Sequence, residues 1–311
     1  MIMKQQHITV FGSFVVDLMS RAPHLPVPGE TVKGSMFRIG PGGKGFNQGV
    51  AAKKAGADVT MVTKIRRDTF GNIALNTMKE LNMDASHVFL SEKSETGAAL
   101  IMVDENTSQN AIMVTLGACS EITEEDVDSI EETVKNSGYL LTQLETNVDA
   151  VERVVDMAHR YGVTVVLNTA PVQPISDELL KKVDIITPNE VEAEILTGIK
   201  VDNEGNAQKA AEYFFGKGIK TVVITLGKRG VFVSTAQKHG ILPVPKVDVL
   251  DTTGAGDAFN GALVASLAEG KDIWEACVFA NAAASISVTR LGTTPAMPVR
   301  SEIDRFLSEH K

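Results

Sequence analysis

Short apolar runs recur along the chain at 7–12, 59–63, 139–144, 163–168, 183–187 and 221–225, each of a length that suits a buried strand. Between most of them the apolar positions fall three and four residues apart, over 47–55, 70–81, 124–136, 148–161 and 207–217, which predicts helices with one buried face. Strand and helix in alternation imply crossover connections around a largely parallel sheet, so the main body reads as α/β. Two segments break the alternation. One is 31–39; the other is the pair 97–103 and 110–116, joined by the polar turn 104–109. They predict a small antiparallel sheet standing off the body, as a lid over a site or as a subunit contact. One face of such a sheet needs a cover, which favours a homodimer.

Composition narrows the partners. At 311 residues, 43% hydrophobic, the chain can bury a large core, and no repeat, low-complexity tract or Pro/Ser linker separates two independent halves. No apolar run approaches membrane-spanning length and the first residues lack the build of a signal peptide, so a cytoplasmic location is expected. The net charge of -9 argues against nucleic acid, yet a nucleotide remains possible, because a local site of amides and Mg²⁺ needs no basic surface. Cys119 and Cys277 stand far apart without a C-x-x-C, which excludes a disulfide framework and a Cys-rich zinc site. The six histidines include no H-E-x-x-H pair.

The run Asp251-Thr252-Thr253-Gly254-Ala255-Gly256-Asp257-Ala258-Phe259 carries the sharpest chemistry, because it reads as a loop turning into a helix near Gly254 to Gly256. The first amides of a helix lack partners inside it, and side chains this small let an anion reach them. Asp257 in that first turn would repel a resting phosphate. It is better suited to sit beside one and take a proton from a hydroxyl that attacks the phosphorus. Simple stabilisation of a helix start is the competing account.

Other polar groups fall where parallel strands deliver residues to a crevice. Asp17 follows the first strand, and Glu145 follows the strand at 139–144. The cluster Gly40-Pro41-Gly42-Gly43-Lys44-Gly45-Phe46-Asn47-Gln48 is neither a P-loop nor a dinucleotide fingerprint. Its glycines let a small ligand approach, and Lys44 and Asn47 offer donors to hydroxyls. Asn189 and Glu192 share a helical face, where an amide oxygen and a carboxylate suit Mg²⁺ directly or through its waters, with ordinary capping as the alternative. The turn from Thr225 through Gly227 to Gly230 can hold a nucleotide by its backbone or simply close a hairpin.

The motifs G-G-K-G-x-N at 42–47, N-x-x-E at 189–192 and D-T-T-G-A-G-D at 251–257, in this order, resemble those of the ribokinase family of carbohydrate kinases over nearly the whole chain. The resemblance implies a three-layer fold, a mostly parallel central sheet flanked by helices, with a small β-sheet lid. It implies a single domain over 1–311, lid strands inserted at about 14–40 and 95–117, and pairing of two subunits through the lid. The implied activity is ATP-dependent phosphorylation of the primary hydroxyl of a small sugar, D-ribose to ribose 5-phosphate. Asp257 would be the base, and the backbone of Gly254, Ala255 and Gly256 the anion hole. By the same match Asp17, Gly43, Lys44, Asn47 and Glu145 would hold sugar hydroxyls, Asn189 and Glu192 would serve Mg²⁺, and Thr225, Gly227 and Gly256 would touch ATP. Asn281, in a helix over 274–288, would line the adenine pocket. A monovalent cation, usually K⁺, would sit near Asp251 and Thr253, closed by the 290–294 turn.

Two positions depart from the family's pattern. Val15 stands where ribokinases typically carry Asn, and in an extended segment it points the same way as Asp17. A valine cannot bond a hydroxyl, so 2-deoxy-D-ribose becomes a rival to D-ribose. Phe46 is bulkier than the usual Ala, and either narrows the pocket or packs under the lid. A non-catalytic sugar-binding regulator would lack the base or the glycines of the helix mouth, and all are present. A nucleoside or sugar-acid kinase of the same family fits the compact polar set less well.

Overall fold

The structure is a computed structural model and describes residues 7–107 and 109–310. Its strands, in chain order, are β1 (His7–Phe11), β2 (Val15–Ala22), β3 (Met36–Gly42), β4 (Asp58–Ile65), β5 (Val88–Leu90), β6 (Thr96–Asp104) and β7 (Asn110–Gly117). They continue with β8 (Tyr139–Thr142), β9 (Thr164–Leu167), β10 (Ile185–Ile186), β11 (Thr221–Thr225), β12 (Val231–Thr235) and β13 (His239–Leu242).

The main sheet has nine strands in the order β13-β12-β11-β10-β9-β8-β1-β4-β5. β1 lies between β4 and β8 and parallel to both, and the parallel pairing runs on through β9 and β10 to β11. Only the β11-β12-β13 edge is antiparallel. The apolar runs are strands because both faces are covered: Ile8 and Val10 pack into one core with the helices Lys44–Lys54 and Ala255–Ala268, and Phe11 packs into the other with Val148–Arg160. This is the expected three-layer α/β arrangement. Among the described residues no helix is long and apolar enough to cross a membrane.

A separate four-stranded sheet, ordered β3-β2-β6-β7, stands apart from the main one. It corrects the expectation of a purely antiparallel sheet, since β2 and β6 run parallel, with Asp17 opposite Ala99. The chain between them returns through β4 and β5 of the main sheet, and that long crossover lets β6 enter in the same direction as β2. β2 falls within the 14–40 segment where lid strands were expected, though the sequence reading set Asp17 just past the first strand. It is a regular strand, so Asp17 sits inside the second sheet and not just beyond the first. β3 begins at Met36 and not at 31, because the stretch before it carries Gly34 and exposed polar residues with no ladder partner. The turn 104–109 joins β6 to β7, and Ser108 in it lies outside the described residues.

Three further boundaries shift. The helix expected over 124–136 is two short helices, Glu124–Ser129 and Glu131–Lys135, broken at Ile130 (φ -97°, ψ 8°), whose side chain is buried. β8 ends at Thr142, before Glu145, and β10 contracts to Ile185–Ile186.

Candidate active site

The helix Ala255–Ala268 opens on Gly254, whose backbone is left-handed (φ 77°) and whose Cα faces Thr293, where an added Cβ would meet that residue at 3.4 Å. The Ala255 amide donates to Thr252 O at 3.2 Å, so it is already engaged. Gly256 has open space where a side chain would project. Bare backbone therefore faces the cavity at the first turn.

Asp257 follows and is 7% exposed. Its Oδ2 accepts from Asn47 Nδ2 at 3.0 Å and its Oδ1 accepts from Gln48 Nε2 at 3.0 Å. Burial raises its carboxyl above the ordinary range, opposed by the charge of Lys44 and by those two bonds, while Glu145 adds to the rise. Burial acts to lower the Lys44 ammonium, but the fields of Asp257, Glu145, Glu192 and Asp17 outweigh it and hold the group above its usual value. Asp17, Lys44, Glu145 and Asp257 thus form one electrostatic group.

The second sheet brings Asp17 into it. Thr293 Oγ1 donates to Asp17 Oδ2 at 2.9 Å, and Gly42 lies so close that a Cβ there would meet the carboxylate. Burial is the main reason the Asp17 carboxyl is pushed up to about 7; Thr293 pulls it down, Asp257 and Glu145 push it up, and Lys44 pulls it down. Gly43 is left-handed (φ 89°), with Val15 N only 2.8 Å from where a Cβ would stand, so the loop needs glycine there. Glu145 Oε2 accepts from the Lys44 amide at 2.8 Å and from Ser13 Oγ at 2.5 Å, which ties the glycine loop to the end of β8. Asn47 also accepts from Thr294 Oγ1 at 2.8 Å, so its amide is largely committed to protein partners.

Two cavities meet at this mouth, and Thr252 lines both. The larger, about 900 Å³, is lined by Asn189, Thr225, Gly227, Ala255, Gly256 and Asn281 among others. The smaller, about 250 Å³, lies between the second sheet and the body and is lined by Asp17, Met19, Gly40, Ile101, Asp251, Thr253 and Thr293 among others. Gly43, Lys44, Asn47, Glu145 and Asp257 line neither. They are gathered behind the mouth by the hydrogen bonds just described.

Asn189 and Glu192 form a reciprocal cap on the helix Glu190–Thr197. Glu192 Oε1 accepts from Asn189 Nδ2 at 2.8 Å, and Oε2 accepts from Asn189 N at 3.0 Å and Thr169 Oγ1 at 3.1 Å. The turn Gly227–Arg229 closes the β11-β12 hairpin and lines the larger cavity at once. Asp251 Oδ1 accepts from Thr253 N at 2.9 Å and Oδ2 from Gly292 N at 3.0 Å, which holds the 290–294 turn against the loop. Arg290 turns away to pair with Glu302. Val15, 2% exposed, packs with Met19, Ala99 and Ile101 on the Asp17 side of the sheet. Phe46 is buried and packs edge-on to Phe14 at 4.9 Å, away from any pocket wall.

Sequence reasoning gave no role to Gln48 or Asn168 and placed Thr293 and Thr294 only in the 290–294 turn. Gln48 carried a signal, its place beside Asn47 on the helix after the glycine loop.

Comparison with known proteins supplies independent findings. The model of the pfkB family carbohydrate kinase matches residues 5–300. A ribokinase of Haemophilus influenzae is 45% identical over 97% of this chain and 98% of its own length. A deoxyribokinase of Salmonella typhi is 33% identical over 97% of this chain and 98% of its own. The structure of Arabidopsis thaliana ribokinase complexed with ribose and ATP superposes with a TM-score of 0.89 at 30% identity, covering 97% of this chain and 98% of that one.

Proposed function

The chain belongs to the pfkB family of carbohydrate kinases, and on that premise we propose that it transfers the γ-phosphoryl group of ATP to the primary hydroxyl of D-ribose, forming ribose 5-phosphate. The observation that carries this reading is Asp257, held by two neutral amides beside bare backbone at a helix mouth, within the fields of Lys44 and Asp17. Asp17 holds the sugar in the smaller cavity, with Gly43, Lys44, Asn47 and Glu145 forming the polar group behind it, and the nucleotide occupies the larger cavity along Thr225, Gly227, Gly256 and Asn281.

Asp257 orients the sugar hydroxyl and takes its proton as that oxygen bonds to the γ-phosphorus. The bond from phosphorus to the β,γ-bridging oxygen breaks, and ADP leaves with the electron pair. With the Ala255 amide engaged by Thr252, the Gly256 amide and Lys44 stabilise the charge spreading over the phosphoryl oxygens.

The donor set suits the ions that such chemistry uses. Glu192 accepts from three groups already, so it and Asn189 would hold Mg²⁺ through its waters, and the ion would neutralise phosphate charge. Asp251 and Thr253, with the 290–294 turn drawn in by Gly292, provide the hard oxygens that K⁺ prefers. The chain forms one domain whose second sheet acts as a lid.

The lid also supports a homodimer. Register places Leu18, Phe37, Ile39, Leu100, Met102 and Met113 on the face away from Asp17, and Phe37 and Met113 are 64% and 61% exposed. A second copy of the same lid is the occupant that an apolar sheet face of this kind fits.

A second reading, 2-deoxy-D-ribose as substrate, is favoured by the apolar cluster of Val15, Met19, Ala99 and Ile101 on the Asp17 side, of which Met19 and Ile101 line the smaller cavity. Turnover of a sugar panel with ATP-Mg²⁺, with and without K⁺, tests both. Ribose leading in kcat/KM supports the first reading; 2-deoxyribose leading replaces it with the second; no phosphorylation of any pentose overturns both.

A further inference from the structure

Behind Asp257 runs a chain of buried amides that the reaction as described leaves without a task. Gln48, fully buried, spends both its N–H groups: one on Asp257 Oδ1 and one on Asn168 Oδ1, each at 3.0 Å. Its own oxygen accepts from Gln143 Nε2 at 2.6 Å. Asn168 donates to Thr187 O at 2.8 Å, Thr187 Oγ1 donates to Asn260 Oδ1 at 2.6 Å, and Asn260 Nδ2 donates to Gly256 O at 2.9 Å. The path leaves Asp257 by its side chain and returns to the peptide that precedes it.

Gln48 has one workable orientation in this chain. Turned over, its oxygen would face the Asp257 carboxylate and the Asn168 carbonyl oxygen, while its N–H groups would face the Gln143 N–H: acceptors against acceptors and donors against donors in a water-free interior. Gln143 supplies the donor that sets that orientation. Its own Oε1 has no partner among the described residues and lies against Gly12, where a Cβ would come within 2.1 Å of it. Burying an unpaired amide oxygen costs stability, and what the arrangement secures is a fixed N–H aimed at one carboxylate oxygen.

We infer that Gln48 is a positioning residue for Asp257, locked by Gln143 and Asn168, and that it sets both the direction and the ionisation of the base. This rests on the role proposed above for Asp257. The charged groups around that carboxylate are Lys44, on the same helix as Gln48, with Glu145 and Asp17 on neighbouring segments. None of them contacts Gln48 by a hydrogen bond among the described residues.

Gln48→Met keeps the length and volume of the side chain and removes both donors. Its kcat should fall roughly 10- to 100-fold, with KM for sugar and for ATP held within about twofold. The acid limb of the kcat–pH profile should move up by about one unit, because the ionised carboxylate has lost a donor. In an Asp257→Asn background the same change should alter the residual rate by less than about twofold, since the two residues then act as one unit. Gln143→Met, whose side-chain hydrogen bond among the described residues goes to Gln48, should move kcat and the acid limb in the same direction by less, and keeps the test available if Gln48→Met fails to fold.

Unmoved acid limbs in the folded variants, or losses that multiply in the double variant, overturn the inference while leaving Asp257 as the base. Near-normal turnover of Asp257→Asn alone removes the base assignment and this inference with it.

Discussion

Thr293 Oγ1 donates to Asp17 Oδ2 at 2.9 Å, joining a turn near the C-terminal end to the middle of β2 in the second sheet, across 276 residues of sequence. Both residues line the smaller cavity, and the bond partly offsets the rise in the Asp17 carboxyl that burial causes.

On the proposed role of Asp17 in holding the sugar, sugar binding depends on pH. Its folded pKa of about 7 lies above the ordinary 3.8, so the fold disfavours the ionised form. Only that form presents two acceptors to sugar hydroxyls. The KM for sugar should fall roughly tenfold between about pH 6 and pH 8 as the group ionises. Stability has the opposite sign: the contribution of this group is fully present below its unfolded pKa of 3.8 and is lost as pH rises through about 7. Asp17→Asn should accordingly raise the melting temperature by roughly 2–4 °C at about pH 8, with little change near pH 4. Melting curves at the two pH values check it.

Asp257→Asn retains the shape and loses the proton acceptor. Turnover should drop roughly 10²-fold or more while binding of sugar and ATP, measured by calorimetry, persists. Near-normal turnover would exclude Asp257 as the base.

Val15→Asn places a hydroxyl partner in the apolar cluster on the Asp17 side. The ratio of kcat/KM for ribose over 2-deoxyribose should rise on the order of 10-fold, because a site built to bond a hydroxyl rejects the sugar that lacks it. An unchanged ratio means that this side chain does not reach the 2-position.

A charge on the exposed lid face should separate subunits. Phe37→Asp, or Met113→Lys as an independent variant, should shift a dimer to monomer in sedimentation, since a like charge would meet its symmetry mate at a two-fold contact. A wild-type monomer at micromolar concentration would dispose of the proposed pairing.

Much was legible in the chain itself. The spacing of apolar residues carried the α/β class and most strand positions, because a strand covered on both faces must be apolar throughout, as at Ile8, Val10 and Phe11. The small residues at 251–257 carried the helix mouth, since Gly254 at φ 77° and the open space at Gly256 demand little else. The family resemblance placed lid strands at about 14–40, but the apolar pattern alone did not mark β2, because its residues mix buried Val15 and Val16 with polar Asp17 and Ser20 and show no regular alternation.

Tertiary structure alone decided which polar groups meet. Glu145, Lys44, Asp17 and Asp257 come from four separate segments, and their mutual fields exist only once both sheets are in place. Gln48 and Thr293 carry side chains common on any surface. What distinguishes them is a partner more than two hundred residues away, and a hydrogen bond of that range leaves no trace in local pattern or spacing.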